Sequence, residues 1–530
     1  MDVDLLIRGG TVVDGSGGPA RAADVAVRGD RIVAVDDLGA ATAPHVLDAA
    51  GLVVAPGIVD IHTHSDFSLL LDPRGESKLR QGVTTEVTGN CSYAPYPLRP
   101  ADLPALAATF SGIAGDDLVW DWTDLDGFRR RFDAQGAALN IAPLAGHAAL
   151  RVAAMGYANR APAADELATM ERLLAETMEQ GAFGFSAGLT LAPSAYAATE
   201  EIVALCAVAA RYGGYYAAHM RVPAEGQLEG RLETLEIARR AGIAVQMAHN
   251  NVMGRPFWHL VPEMLTLLER ERAAGVDVTY DVYPYLAGMS IVDQLMPAWA
   301  QEGGVDALVA RLRDPATRRR VYDELAPGRA GGALPWDWDT IRVTDVQPAA
   351  DKHLEGKTVA EVAAWLGVDG LDALLTLVER DRASATYHHL SEANTRLLLQ
   401  HPLGMVGSDG NAVTAGTPSL RGKPHPRFFG TFPRVLGRYV REEGVLTLED
   451  AVRKMTAAPA ARAGLADRGL LAPGKIADVM LFDPRTIVDH ATYDEPSRYA
   501  QGVDSVLVAG RVVLERGRVT GALPGRALAR

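Results

Sequence analysis

The sequence predicts an α/β fold: a (β/α)₈ TIM-type barrel with a small β-sandwich domain formed by both termini and an inserted subdomain. Three observations predict it. Short strand-like runs mark both ends of the chain, eight apolar runs between them end in polar residues and alternate with helical stretches, and one long segment breaks that alternation.

The amino-terminal part alternates brief apolar runs with turn signals. Asp4 to Ile7, Thr11 to Val13, Asp24 to Val27 and Arg31 to Val35 are separated by Gly9-Gly10, Asp14-Gly15-Ser16-Gly17-Gly18 and Gly29-Asp30, the texture of a β meander. The same texture returns in Asp478 to Phe482, Val503 to Val508 and Arg511 to Leu514. Strands this short need partners to bury their apolar faces, so residues 1–55 and 470–530 are read as one small β domain.

Residues 56–469 are read as the barrel. Its candidate strands are Ile58 to His62, Thr84 to Thr88, Asn140 to Gly146, Gly184 to Ser186, Tyr215 to His219, Ala244 to His249, Asp277 to Tyr283 and Gly404 to Asp409. Helical candidates between them include Asp165 to Gln180, Thr199 to Tyr212, Gly226 to Ala241 and Trp258 to Ala274. Residues 290–385 contain helical pieces and loops outside the repeat, and are read as an insertion or lid. In a parallel barrel the carboxyl ends of the strands converge on one face, the face that carries active sites. Here that face collects His, Cys and Asp.

A chain of 530 residues has ample core for this arrangement. With 48% hydrophobic and 22% charged residues it is an ordinary folding composition. Asp and Glu outnumber Lys and Arg by 66 to 52, and no basic stripe offers a grip on phosphates, which argues against a nucleic-acid partner. The start, Met1-Asp2-Val3-Asp4, shows no positive region followed by an apolar stretch and a cleavage site. Apolar windows are interrupted well before the roughly 18 to 20 residues of a membrane span. A cytoplasmic protein without a membrane partner is expected. Two cysteines, Cys91 and Cys206, give no disulfide framework.

The strongest local signal is His62-Thr63-His64 after the apolar run Ile58 to Ile61. Residues two apart on a strand point to one side, so both imidazoles can reach one cation. Taken alone the pattern is as easily incidental, but other ligand types converge. His219 ends one strand candidate and His249 the next, thirty residues on, the length of one βα unit. Cys91 follows Thr88-Gly89-Asn90 at the end of another, and thiolate and imidazole together suit Zn²⁺. A small buried thiol is the alternative for Cys91; for Cys206, on an apolar helix face, it is the preferred reading. Asp409, in Val406-Gly407-Ser408-Asp409-Gly410, sits where a general base or a further ligand is needed, although an Asp-Gly turn accounts for it equally. His147, His388, His389 and His425 are left unassigned.

Taken together, GIVDIHTHSD, TTEVTGNCS, GFSAGLTLAPSAYAATEE, AAHMR, VYPYLAG, GSDG and HPRFFGTFPRVLGRY resemble the N-acyl-D-amino-acid deacylases of the amidohydrolase superfamily over nearly the whole chain. The resemblance implies a zinc-dependent hydrolase of N-acyl amino acids, small molecules with a linear amide. It implies Cys91, His219 and His249 as tight zinc ligands. His62 and His64 would hold or approach a second, weaker site, with Cys91 able to bridge. It places Asp409 on the family's catalytic aspartate, and Tyr283 and Arg427 on substrate-binding positions. Asp409 would then relay the water proton to the leaving amine, Tyr283 would donate to the oxyanion, and Arg427 would grip a carboxylate.

Two departures fall in the substrate set. Where the family continues its second zinc histidine with His and Lys, this chain has His249-Asn250-Asn251, so Asn251 stands in place of a cation. The YPYxAGS segment reads Tyr283 to Met289, with Ser290 one place late. Hydrolysis is therefore expected more firmly than the D-α stereochemistry of its substrate. The alternatives are an N-acyl-β-amino-acid deacylase, a cyclic-amide hydrolase or deaminase on the same fold, and a non-catalytic binding protein.

Overall fold

The computed structural model describes residues 3–114, 118–221, 227–326, 337–381 and 383–530. Its centre is a parallel barrel of eight strands: β1 (Ile58–Asp60), β2 (Val83–Thr88), β3 (Asn140–Pro143, resuming after Leu144 as Ala145–Gly146), β4 (Gly184–Gly188), β5 (Tyr215–His219), β6 (Ala244–Met247), β7 (Val278–Val282) and β8 (Gly404–Val406). Each pairs with the next in parallel register. Sequences such as Val-Thr-Thr-Glu-Val-Thr in β2 and Val-Thr-Tyr-Asp-Val in β7 are rich in β-branched residues and buried throughout, as expected of strands covered on both faces.

The ring closes differently between β8 and β1. An isolated bridge joins Thr63 to Gly410, the Asp409 N–H donates to the His62 carbonyl at 2.9 Å, and the Ser408 N–H donates to Asp60 Oδ1 at 2.9 Å. A side-chain carboxylate thus stands in for part of the missing ladder.

Several strands stop short of their expected ends: β1 at Asp60 instead of His62, β6 at Met247 instead of His249, β8 at Val406 instead of Asp409. The physical reason lies in the backbone. His249 (φ 32°) and Asp409 (φ 51°) adopt left-handed conformations that no strand contains. The outer helices include Ala164–Glu179, Thr199–Arg211, Glu229–Ala241 and Val261–Ala273. The last begins after a 3₁₀ turn, Arg255–Leu260, rather than at Trp258. Gly226, the expected start of the third, lies outside the described residues. That helix ends on Gly242 at φ 64°, a left-handed cap that glycine adopts without a Cβ penalty.

Strands from both ends of the chain share one nine-stranded sheet, joined where Val53–Pro56 pairs antiparallel with Val479–Phe482. The sheet curls on itself: Arg31 bridges Ile476, and the Ile32 N–H donates to the Lys475 carbonyl at 2.9 Å. This encloses a core that includes Ile7, Val25, Ile32, Val54 and Leu481. The expected break in the repeat is a subdomain that leaves the barrel at Gly288–Ile291 and returns along Ser384–Tyr387, two strands paired antiparallel. Ile341–Asp345 completes its sheet, and a separate core around Leu308, Val321, Val343, Val362 and Leu374 holds its helices. Among the described residues, no helix is long and apolar enough to cross a membrane.

Candidate metal centre

The carboxyl ends of five strands bring the predicted donors together. Cys91 Sγ, on the loop after β2, lies 3.3 Å from His219 Nδ1 at the end of β5 and 3.9 Å from His249 Nε2 beyond β6, and the two nitrogens are 3.1 Å apart. Three donors bound at roughly 2.0 to 2.3 Å around a tetrahedral Zn²⁺ would be separated by about 3.3 to 3.6 Å, so this triangle fits that ion. The donor chemistry fits as well. Burial alone would push the Cys91 thiol up, but His62 and His219 reverse this and hold it well below the usual thiol range, in the thiolate form that binds metals. Burial lowers His219, which favours the neutral imidazole that a metal ligand must be.

His62 and His64 extend past β1 into the same space. Two further groups of donors each lie within 4.8 Å of one another: His62, His64 and Cys91, and His62, His249 and Asp409. The ring of His62 is fixed by Asp281, whose Oδ1 is 3.0 Å from Nδ1, leaving Nε2 directed at Cys91 Sγ at 3.3 Å. Burial pulls the pKa of His62 down, but Asp281, Cys91 and Asp409 outweigh it and hold the ring well above the ordinary imidazole range. A metal at Nε2 would take the place of that proton.

Asp409 occupies the rim of this cluster. Its Oδ1 is 3.0 Å from His64 Nε2 and 3.5 Å from His62 Nε2, and its Oδ2 is 2.8 Å from Arg427 Nη1. Burial would raise this carboxyl, yet Arg427 first and His62 second hold it well below the carboxylate range. The Arg427 guanidinium also lies 4.9 Å from the centre of the Tyr283 ring. His425 backs both, accepting the Arg427 N–H on Nδ1 at 3.0 Å.

A cleft runs two ways from Asp409. One arm is lined by Met220, Met253, Tyr283, Met289, Leu295 and Leu390, and Asn251 also faces it. Among the described residues this arm has no Lys or Arg. Burial holds its His389 down to about 4, so that ring is uncharged at neutral pH. The other arm passes Tyr93 and Phe428 toward Arg421, which pairs with Asp345 at 3.3 Å. Ser290 lines this second arm from the first strand of the inserted subdomain. Arg427 Nε and Asn251 Nδ2 are buried without a hydrogen-bond partner among the described residues, donors free for a bound molecule.

Some residues that shape the site escaped sequence reasoning. Asp281, in β7, orients His62 and also accepts the His249 N–H at 2.8 Å and Gln246 Nε2 at 3.1 Å. Its one signal was an acidic residue inside an apolar strand. Thr190 Oγ1, 2.6 Å from His219 Nε2, fixes that ring so that Nδ1 faces the cluster. Beneath the site, Lys78 Nζ lies 2.6 Å from Asp60 Oδ2, 3.1 Å from Glu86 Oε1 and 2.5 Å from Ser408 Oγ, all fully buried. His147 stays out of the cluster and pairs with Glu201 at 2.8 Å, beside Arg151. Cys206 is buried in the helix Thr199–Arg211.

Comparison with known proteins identifies the family. A family model described as the amidohydrolase family matches residues 45–514. The chain is 39% identical to the N-acyl-D-glutamate deacylase of Alcaligenes xylosoxydans xylosoxydans, over 100% of this chain and 97% of that protein. It is also 39% identical to the D-aminoacylase of the same organism, over 99% and 98%. Among solved structures, the N-acyl-D-glutamate deacylase of Bordetella bronchiseptica, complexed with zinc and a phosphonate inhibitor that mimics the tetrahedral intermediate, superposes with a TM-score of 0.84 at 36% identity, covering 100% of both chains.

Proposed function

This chain belongs to the amidohydrolase family, and from that premise we propose that it is a zinc-dependent deacylase of N-acyl-D-amino acids with an uncharged side chain. The observation that carries the reading is the convergence of Cys91, His219 and His249 at metal-ligand spacing, with Asp409 within 3.5 Å of His62 in the same cluster. Two full-length relatives named for deacylation of D-amino acids support the reaction class. Cys91, His219 and His249 would hold the tight zinc, and His62 and His64 would offer a weaker second site.

When bound, zinc supplies a Lewis acid that acidifies water and polarises an amide carbonyl. The remaining work falls to side chains. Asp409, kept ionised by Arg427, accepts the proton of the attacking water as its oxygen bonds to the carbonyl carbon. As the carbon–nitrogen bond breaks, Asp409 returns that proton to the amine nitrogen, and the products are a carboxylate and a free amino acid. Tyr283, buried and lifted above the ordinary phenol range by that burial, stays protonated and donates to the oxygen that gains charge. Arg427 Nε and Asn251 Nδ2 donate to the substrate carboxylate.

The methionine-rich arm supports the uncharged side chain. A carboxylate entering it would find no cation among the described lining residues and would lose its hydration uncompensated. The test is a screen of N-acetyl-D-, N-acetyl-L- and N-acetyl-β-amino acids with protein of measured zinc content. N-acetyl-D-methionine or D-leucine should exceed N-acetyl-D-glutamate in kcat/KM by at least about 100-fold, the cost of roughly 3 kcal/mol for an unpaired buried charge. Faster turnover of a cyclic imide than of any N-acetyl amino acid would overturn the reading.

A further inference from the structure

The loop that carries Cys91 is built from unfavourable backbone. Gly89 (φ 79°), Cys91 (φ 53°) and Ser92 (φ 71°) are all left-handed, two of them with side chains. A left-handed residue other than glycine costs roughly 1 to 2 kcal/mol. Such conformations persist where surrounding contacts over-determine them.

Those contacts come largely from β4. The Ser186 hydroxyl donates to the Gly89 carbonyl and accepts the Ser92 N–H at 3.1 Å, so a single oxygen ties down the residues on both sides of Asn90 and Cys91. Two residues on, Gly188 lets the strand approach: a Cβ there would lie 2.5 Å from the Cys91 carbonyl oxygen. Asp66 Oδ2 accepts the Gly89 N–H at 3.0 Å, and Asn90 Nδ2 donates to the Val87 carbonyl at 3.0 Å. These fix the start of the loop, whereas Ser186 alone spans it. Ser186 is fully buried and both of its hydrogen bonds go to the loop backbone, so it has no direct part in binding substrate.

We propose that Ser186 is a positioning residue for the metal centre, a clamp that holds Cys91 in its left-handed conformation with Sγ aimed between His219 and His249. Without the clamp the loop relaxes toward ordinary backbone angles and the sulfur leaves the donor triangle. Zinc binding then has to supply the energy that restores the strained loop, and affinity falls. Asp66 and Asn90 keep the loop in place but do not fix the turn at Cys91.

The inference rests on Cys91 being a zinc ligand, and the experiment separates the two claims. Purified protein is stripped, reloaded with Co²⁺ or Zn²⁺, and examined for the thiolate-to-cobalt charge-transfer band and for zinc affinity by chelator competition. A parent protein without that band would overturn the Cys91 assignment itself. With the band present, Ser186→Ala should weaken zinc about 10- to 100-fold, the range seen when an outer-shell partner is lost. It should also shift or weaken the band while far-UV circular dichroism stays unchanged. The near-isosteric pair Ser186→Thr and Ser186→Val, which differ in the hydroxyl, guards against a folding defect in Ser186→Ala. The threonine variant should bind zinc more tightly than the valine variant by a similar factor. Equal zinc affinity in that pair, with an unaltered cobalt band in Ser186→Ala, would overturn the clamp.

Discussion

Two polar clusters are buried in this barrel one above the other, and they differ in the source of their positive charge. The lower one gathers Asp60, Glu86 and Ser408 around Lys78, whose ammonium lies between both carboxylates. The upper one gathers Cys91, His62, His219, His249 and Asp409, with Arg427 at its edge and no ammonium at its centre. The lower cluster is complete as the chain folds, because its cation is covalently attached. The upper one is a set of lone pairs that converge on a point, and in the function proposed above a foreign cation would complete it. Interior charge is costly unless compensated, so on the proposed function the same barrel would use a lysine where rigidity suffices and an exchangeable ion where chemistry is done.

The sharpest way to break this contrast is through the upper cluster's carboxylate. Asp409→Asn should retain zinc yet lose about 10²- to 10⁴-fold in kcat, the usual contribution of a positioned acid–base group. Steady-state kinetics beside metal analysis checks this, and parental kcat with zinc bound would remove Asp409 from the mechanism. For the lower cluster, Lys78→Met should leave two carboxylates uncompensated and cost about 3 to 5 kcal/mol of stability. Denaturant unfolding of the zinc-loaded protein measures it, and a loss below about 1 kcal/mol would mean that the lower charges are not coupled as the geometry suggests.

Much of this contrast was legible in the residue string, but unevenly. His62 and His64 could be read because residues two apart on a strand share a side, and His219 and His249 because they end strands one βα unit apart, a one-dimensional trace of a three-dimensional convergence. The short strands at the two ends of the chain were legible for a different reason, since turn residues punctuate them. Asp281, Thr190 and Ser186 were not. Each acts on a group far along the chain, and an Asp or Ser within a strand, or a Thr in the turn after one, carries no local mark of such a partner. The Lys78 cluster was hidden likewise, with members up to 348 positions apart. The strand ends were misjudged because the left-handed angles at His249 and Asp409 follow from tertiary contacts, not from residue preference.

Asp281 connects to the upper cluster alone and gives a finer test. Asp281→Asn should weaken zinc about 10- to 100-fold by loosening His62 and the His249 backbone together. Chelator competition reads this out, and unchanged affinity would show that neither histidine depends on it. The smallest effect belongs to the other cysteine. Cys206→Ala should cost about 1 kcal/mol through lost packing and leave zinc content and kcat/KM at parental values. A change in metal stoichiometry there would mean that the two thiols do not have separate roles.

The seam between the eighth strand and the first has a consequence for how the molecule comes into being. Asp60 meets the Ser408 N–H across 348 positions of chain, and the terminal sheet likewise awaits Val479–Phe482 to cover Val53–Pro56. A ribosome adding roughly 5 to 20 residues per second needs about 17 to 70 s to travel from one side of the seam to the other. Throughout that interval the first strand has one edge unpaired, and native closure of the ring is completed only late in synthesis.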